Sequence, residues 1–199
     1  MPTGTIRGSL SVGDLGQSTE TSRTASGQIA HEVTLPAGKT GTLSTRTDDD
    51  TGVATLEADH GITTEDTVDV YWDGGLRYGM SVTLVDGNDV TIDLGTGDVL
   101  PTQDTSLVVT PRVSIDTDFD GDLAKLVVAH ADKRAHIDFQ SSAPASLHAV
   151  ELVAGELWSW VDAQGISNPL TGDPVDTVEA SAGTAAATVV KLGVIYASS

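Results

Sequence analysis

The sequence predicts an all-β protein: a small β-barrel-like unit and an antiparallel β-sandwich, with an extended N-terminal arm. Three observations predict it. Short runs of Val, Ile, Leu and Thr, bounded by Gly, Pro, Asp and Asn, recur at roughly ten-residue spacing, as in sandwiches and barrels. No long stretch carries the apolar period of an amphipathic helix. Only 4% of the 199 residues are aromatic, so the core is built from Val, Leu, Ile and Ala, which suits thin layers better than one large core.

Residues 1–42 hold the arm and the first strand or strands. The first thirty are rich in Ser, Thr and Gly with little apolar periodicity, apart from one candidate strand over residues 5–12. Such an arm needs a partner to become ordered. A strand over residues 28–35 either closes this segment or belongs to the C-terminal sandwich, which would make the barrel an insertion.

Residues 43–112 form the barrel-like unit. Residues 53–56 read as a strand, His60-Gly61 as a turn, and Val68, Val70 and Trp72 alternate on one face of the next strand. A hairpin follows, running from Tyr78 to Val85, through Asp86-Gly87-Asn88, and back along Val90, Ile92 and Leu94. Residues 107–110 close the unit. Pro111 ends it, because proline donates nothing to a ladder.

Residues 113–199 read as the sandwich, with strands over 123–130, 135–139, 147–153, 157–161, 175–180 and 187–196. The first of these has Leu123, Leu126, Val127 and His130 at helical spacing, but Leu-Val-Val also suits a buried strand, and strand is the reading taken. Asn168-Pro169-Leu170 and Gly172-Asp173-Pro174 mark a loop before the fifth strand.

Ten basic residues against 29 acidic ones give a formal charge of -19. Nucleic-acid binding draws its affinity from Lys and Arg neutralising phosphates, so neither nucleic acid nor an anionic membrane is an expected partner. There are no cysteines, which excludes disulfides, thiolate metal sites and a cysteine nucleophile. The first residues lack the charged-then-apolar pattern of a signal peptide, and no run approaches the roughly 20 apolar residues that span a bilayer. Synthesis and assembly in a cytoplasm are expected.

The sharpest chemical signal is Asp116-Thr117-Asp118-Phe119-Asp120-Gly121-Asp122, which reproduces the first half of an EF-hand calcium loop. Val127 stands where the bidentate Glu is required. The segment therefore reads as an acidic link between two β units, with a weak calcium site on Asp116, Asp118 and Asp120 as the alternative; no other cofactor is expected. Asp48-Asp49-Asp50 before Thr51-Gly52 reads as a hydrated loop. His31, His60, His130, His136 and His148 lack zinc-helix spacing, and only His130 and His136 flank a hairpin across which they would face each other. There is no Gly-x-Ser-x-Gly elbow, and Gly74-Gly75 and Gly95-Thr96-Gly97 do not continue into a Lys-Ser/Thr helix. No catalytic residue is assigned. Tyr71 with Trp72, or Trp158 with Trp160, would serve as a glycan platform, against the alternative of a half-buried core or interface face.

The stretches GTLSTRTDDDTG from Gly41, DHGITTEDTVDVYWDGG from Asp59 and DLGTGDVLP from Asp93 resemble proteins encoded by tailed bacteriophages and by phage-like regions of bacterial genomes. Residues 152–160, Asn168-Pro169-Leu170 and the closing strand 189–196 are similar to them too. The resemblance implies a virion structural protein, assembled in the host cytoplasm as a homo-oligomer beside other capsid or tail subunits. It carries over no catalytic residue and implies no enzyme. A capsid decoration (cement) protein would face its acidic residues to solvent, and a tail component would line a lumen with them. A carbohydrate-binding or adhesin module is the alternative.

Overall fold

The computed structural model describes residues 28–95, 99–115, 123–140, 146–161 and 175–197, which hold fourteen strands and no helix. The protein is all-β. Its first strand, β1 (Gln28–Leu35), pairs antiparallel with the last, β14 (Thr188–Ala197), so of the two placements open for β1 it has the one in the sandwich. The barrel is therefore inserted between β1 and the remaining sandwich strands.

The barrel comprises β2 (Lys39–Arg46), β3 (Thr51–Leu56), β4 (Thr67–Trp72), β5 (Gly75–Asp86), β6 (Asp89–Asp93) and β7 (Ser106–Pro111). It closes in the order β2-β3-β6-β5-β4-β7 with every pair antiparallel. Alternation sends Leu43, Ala54, Leu56, Val68, Val70, Met80, Val82, Val90, Ile92, Leu107 and Val109 inward to one aliphatic core. The β5–β6 hairpin turns on Gly87, at φ 61°, followed by Asn88. A glycine at the first central position is what a type II′ turn demands. His60 braces this turn from outside: its Nδ1 accepts from the Ile62 amide at 3.0 Å, so Nε2 carries the hydrogen and donates to the Gly87 carbonyl at 3.1 Å.

The sandwich has one sheet ordered β1-β14-β9-β12 and a second ordered β11-β10-β13-β8. The further strands are β8 (Val113–Ile115), β9 (Leu123–Ala131), β10 (Ala135–Gln140), β11 (Ser146–Leu152), β12 (Leu157–Val161) and β13 (Thr177–Ala182). Both inner faces meet in one core that includes Leu35, Val127, Trp160 and Leu192 from the first sheet and Ile137, Phe139, Leu152 and Val178 from the second. Two strands were not among the sequence expectations: β2, in which Leu43 is the one fully buried position and alternation is weak, and the short β8. The three residues of β8 are too few to show alternation.

One expectation fails here. β9 and β10 do not form a hairpin, because the chain crosses from one sheet to the other between them. His130 lies opposite Leu157 and Lys191, whereas His136 lies on the opposing sheet opposite Glu151 and Ser181, so the two histidines do not face each other. The N-terminal residues 1–27, with the candidate strand 5–12, lie outside the described residues. So do Asp116, Asp118 and Asp120 and the loop at Asn168-Pro169-Leu170.

Candidate functional site

The outer face of the second sheet packs against the outer wall of the barrel, so strands that alternate apolar and polar are buried on both sides. In β10, Ala135, Ile137 and Phe139 point into the sandwich core, while His136 and Asp138 point at the barrel and are buried as well. In β4, Val68 and Val70 fill the barrel and Asp69 and Tyr71 face the sandwich. Period two thus delivers a row of polar side chains from each unit to one junction.

Asp69 is the centre of it, with its side chain wholly buried. Its Oδ1 accepts from the Gly79 amide at 2.8 Å and from Arg112 Nε at 2.8 Å; its Oδ2 accepts from Ser181 Oγ at 2.6 Å and lies 2.9 Å from His136 Nδ1. A carboxylate opposite Nδ1 requires that nitrogen to carry the hydrogen. Burial pushes the Asp69 carboxyl upward, but the His136 hydrogen bond and the Arg112 charge outweigh it and hold the group below its ordinary value of 3.8. Tyr71 Oη is 3.4 Å from Ser181 Oγ and, since that hydroxyl already donates to Asp69, the tyrosine is the donor there. Burial and the Asp69 charge push the Tyr71 phenol upward, so it stays neutral.

Arg112 sits in the one-residue link between β7 and β8, where the chain leaves the barrel for the sandwich. Its Nη1 reaches Asp138 Oδ2 at 2.9 Å and Glu179 Oε2 at 3.4 Å, so one guanidinium serves three carboxylates. Desolvation opposes its charge, yet Asp69 and Asp138 raise its pKa further. Asp138 and Glu179 are direct partners in register on β10 and β13, and Gln140 Nε2 bridges them at 3.2 and 2.9 Å. Like charges placed opposite one another destabilise a sheet unless a shared donor neutralises them, and here two donors do. Ser146 Oγ occupies Asp138 Oδ1 at 2.5 Å.

A second layer of contacts flanks the first. The His136 ring stacks on Tyr78 at 3.7 Å between centroids. Tyr78 Oη donates to Glu151 Oε2 at 2.9 Å, and Arg134 pairs with Glu151 and lies over the Tyr71 ring at 4.9 Å. A cavity of about 480 Å³ opens beside Asp138, Glu179, Gln140 and Tyr78, and a shallower groove of about 710 Å³ runs past Tyr71, Trp72, Asp73, Glu57 and Arg134.

Ser181, His136 and Asp69 bear the residue types of a hydrolytic triad without its connectivity. Serine and imidazole both donate to Asp69, so no base holds the hydroxyl, and the arrangement acts as a clamp. The aromatic pairs read from sequence are packed against cores, and Trp158 and Trp160 both lie against the sandwich core on one face of β12. Trp160 is buried in the sandwich core, and Trp158 packs beside Phe139 and His148. Tyr71 is covered by Arg134, while Trp72 packs on the barrel core under Arg77, 5.4 Å from its ring. In the acidic run, Asp48 Oδ1 accepts from the Thr51 and Asp50 amides at 2.7 and 3.2 Å and Asp49 pairs with Arg46, which shapes a turn. Among the described residues, no group of three His, Asp or Glu is placed to hold a metal.

Fold and site together define a two-lobed all-β protein in which a barrel inserted into a sandwich is fastened to it by a buried ionic clamp. No family model, no curated protein and no solved structure matches this chain.

Proposed function

We propose that this protein is a non-enzymatic structural subunit of a tailed-phage virion, a capsid decoration protein or a tail component that assembles with copies of itself and with neighbouring subunits through β-rich contacts. The observation that carries the reading is the clamp. Three carboxylates, a guanidinium, an imidazole and a serine hydroxyl are spent on holding two lobes in one orientation, an investment that serves a body whose outer surfaces must meet neighbours at fixed angles. The phage assignment rests on the sequence resemblance, and the acidic surface suits a particle component that must not adhere to the packaged genome.

The test is composition. Particles released from a strain that encodes the chain and banded on a density gradient are expected to contain it in stoichiometric copy number. Genome-filled, infectious particles that lack it would overturn the proposal.

A carbohydrate-binding module is the less favoured reading. The groove beside Tyr71 and Trp72 has the polar lining a sugar needs, but Arg134 covers one ring and the other packs into the barrel, so neither offers an open stacking face.

A further inference from the structure

Among the described residues the sandwich has four edge strands, β1 and β12 on one sheet and β11 and β8 on the other. An edge presents unpaired N–H and C=O groups, and proteins that stay apart guard it with charge, proline or shortness. Three of these edges are guarded. β1 carries Glu32, paired with Lys191 of β14 at 3.0 Å; β11 carries Glu151, held by Arg134; β8 is three residues long and follows Arg112 directly. The fourth is different. β12 reads Leu157-Trp158-Ser159-Trp160-Val161, with no ionisable residue and no proline.

One side of β12 pairs with β9, from Leu157 opposite His130 to Val161 opposite Leu126. Its other side has no partner among the described residues. Leu157, at its start, is 62% exposed, more than Leu84, Val99 or Val153, the other exposed large apolar side chains among the described residues. Two copies that each carry a charge of -19 repel wherever their acidic surfaces approach, and an uncharged strand is where that repulsion is least.

We propose that β12 is a self-association edge, on which β12 of a second copy pairs antiparallel about a twofold axis. The inference rests on the structural role proposed above and names the partner as a second copy of this chain. Ser159 then faces its own counterpart, each Trp158 lies opposite the second copy's Trp160, and two four-stranded sheets join into one of eight. The interface is isologous, so each favourable contact is made twice. Backbone hydrogen bonds along the strand supply the register, and the Leu157 and Trp158 side chains add apolar and aromatic cross-strand contacts.

Sedimentation of the full chain, from micromolar to the highest soluble concentration, tests this with Leu157→Lys, Ser159→Lys and, as a control on the barrel, Leu84→Lys. All three sites are exposed, so folding is preserved, and each substitution lowers the net negative charge, so general repulsion falls equally in all three. Leu84→Lys is expected to dimerise at least as tightly as the wild type, and the two β12 variants to weaken the dimer by about tenfold or more, since lysine on an edge blocks pairing. Backbone amides of residues 157–161 are expected to gain hydrogen-exchange protection with concentration in the wild type and in Leu84→Lys, and not in the two β12 variants. A wild type that stays monomeric, an oligomer that Ser159→Lys leaves intact, or protection independent of concentration, as when the chain's own residues 162–174 cover the strand, would overturn the proposal. If Ser159→Lys still enters particles, the edge proposal fails and the virion role stands; absence of the wild-type chain from particles removes the virion role itself.

Discussion

Asp69 shows how much a single side chain is asked to do. It is a wholly buried carboxylate with four hydrogen-bond donors, two from side chains of the sandwich, one from the barrel backbone and one from the link between the units. Removing one member of such a buried set leaves uncompensated charge, so Asp69→Asn is expected to cost about 3–5 kcal/mol in urea unfolding at neutral pH. The pH dependence has a definite sign. Because the folded protein holds this carboxyl below 3.8, the stabilisation it contributes is complete above that value and is lost as pH falls through the lower, folded one. Wild-type stability should therefore decline in the acid range below about pH 4, and Asp69→Asn should lack that part of the decline. An acid limb of unchanged steepness in the variant would show that the clamp is not held by Asp69.

At the scale of elements, two glycines test different causes of local order. Gly87 has open space where a Cβ would go but lies at φ 61° in the β5–β6 turn, so Gly87→Ala pays only for left-handed backbone, about 1–2 kcal/mol. Gly38, in the short link from β1 to β2, is the reverse case. A Cβ there would sit 2.5 Å from Thr110 Cγ2, 2.6 Å from Val108 Cγ1 and 2.7 Å from the Thr184 carbonyl, where the link is pressed between barrel and sandwich. Gly38→Ala is expected to cost about 1–3 kcal/mol through overpacking, and Gly38→Ser no less. Thermal melts of these variants separate the two mechanisms, since Asn at position 87 tolerates the left-handed region and should recover part of the loss, whereas no larger side chain recovers position 38. The hairpin was legible beforehand because Asp86-Gly87-Asn88 is a local signal. The crowding at Gly38 was not, since all three neighbours that cause it are distant in sequence.

For the whole molecule, the consequence is coupling between the two units. Residues 36–38 and residue 112 connect the barrel to the sandwich along the chain, and Arg112 is itself a member of the clamp. The wild type is expected to unfold in one calorimetric transition. Arg112→Ala removes the cation shared by Asp69, Asp138 and Glu179, so it should lower stability by about 3–5 kcal/mol and split the transition into separate barrel and sandwich steps. A single undiminished transition in that variant would mean that the lobes are coupled by other contacts. The sequence by itself determined that the protein is all-β and which runs become most of the strands, β2 and β8 excepted, because strand alternation and turn chemistry are written in residues close along the chain. It could not reveal that His136 and Asp138 are as buried as Ile137, that β9 and β10 part into opposite sheets, or that Asp69 meets Ser181 across 112 positions. An alternating strand specifies two faces and predicts water on the polar one; only the tertiary structure decides that a second sheet covers that face instead, and with it where the buried charges find their partners.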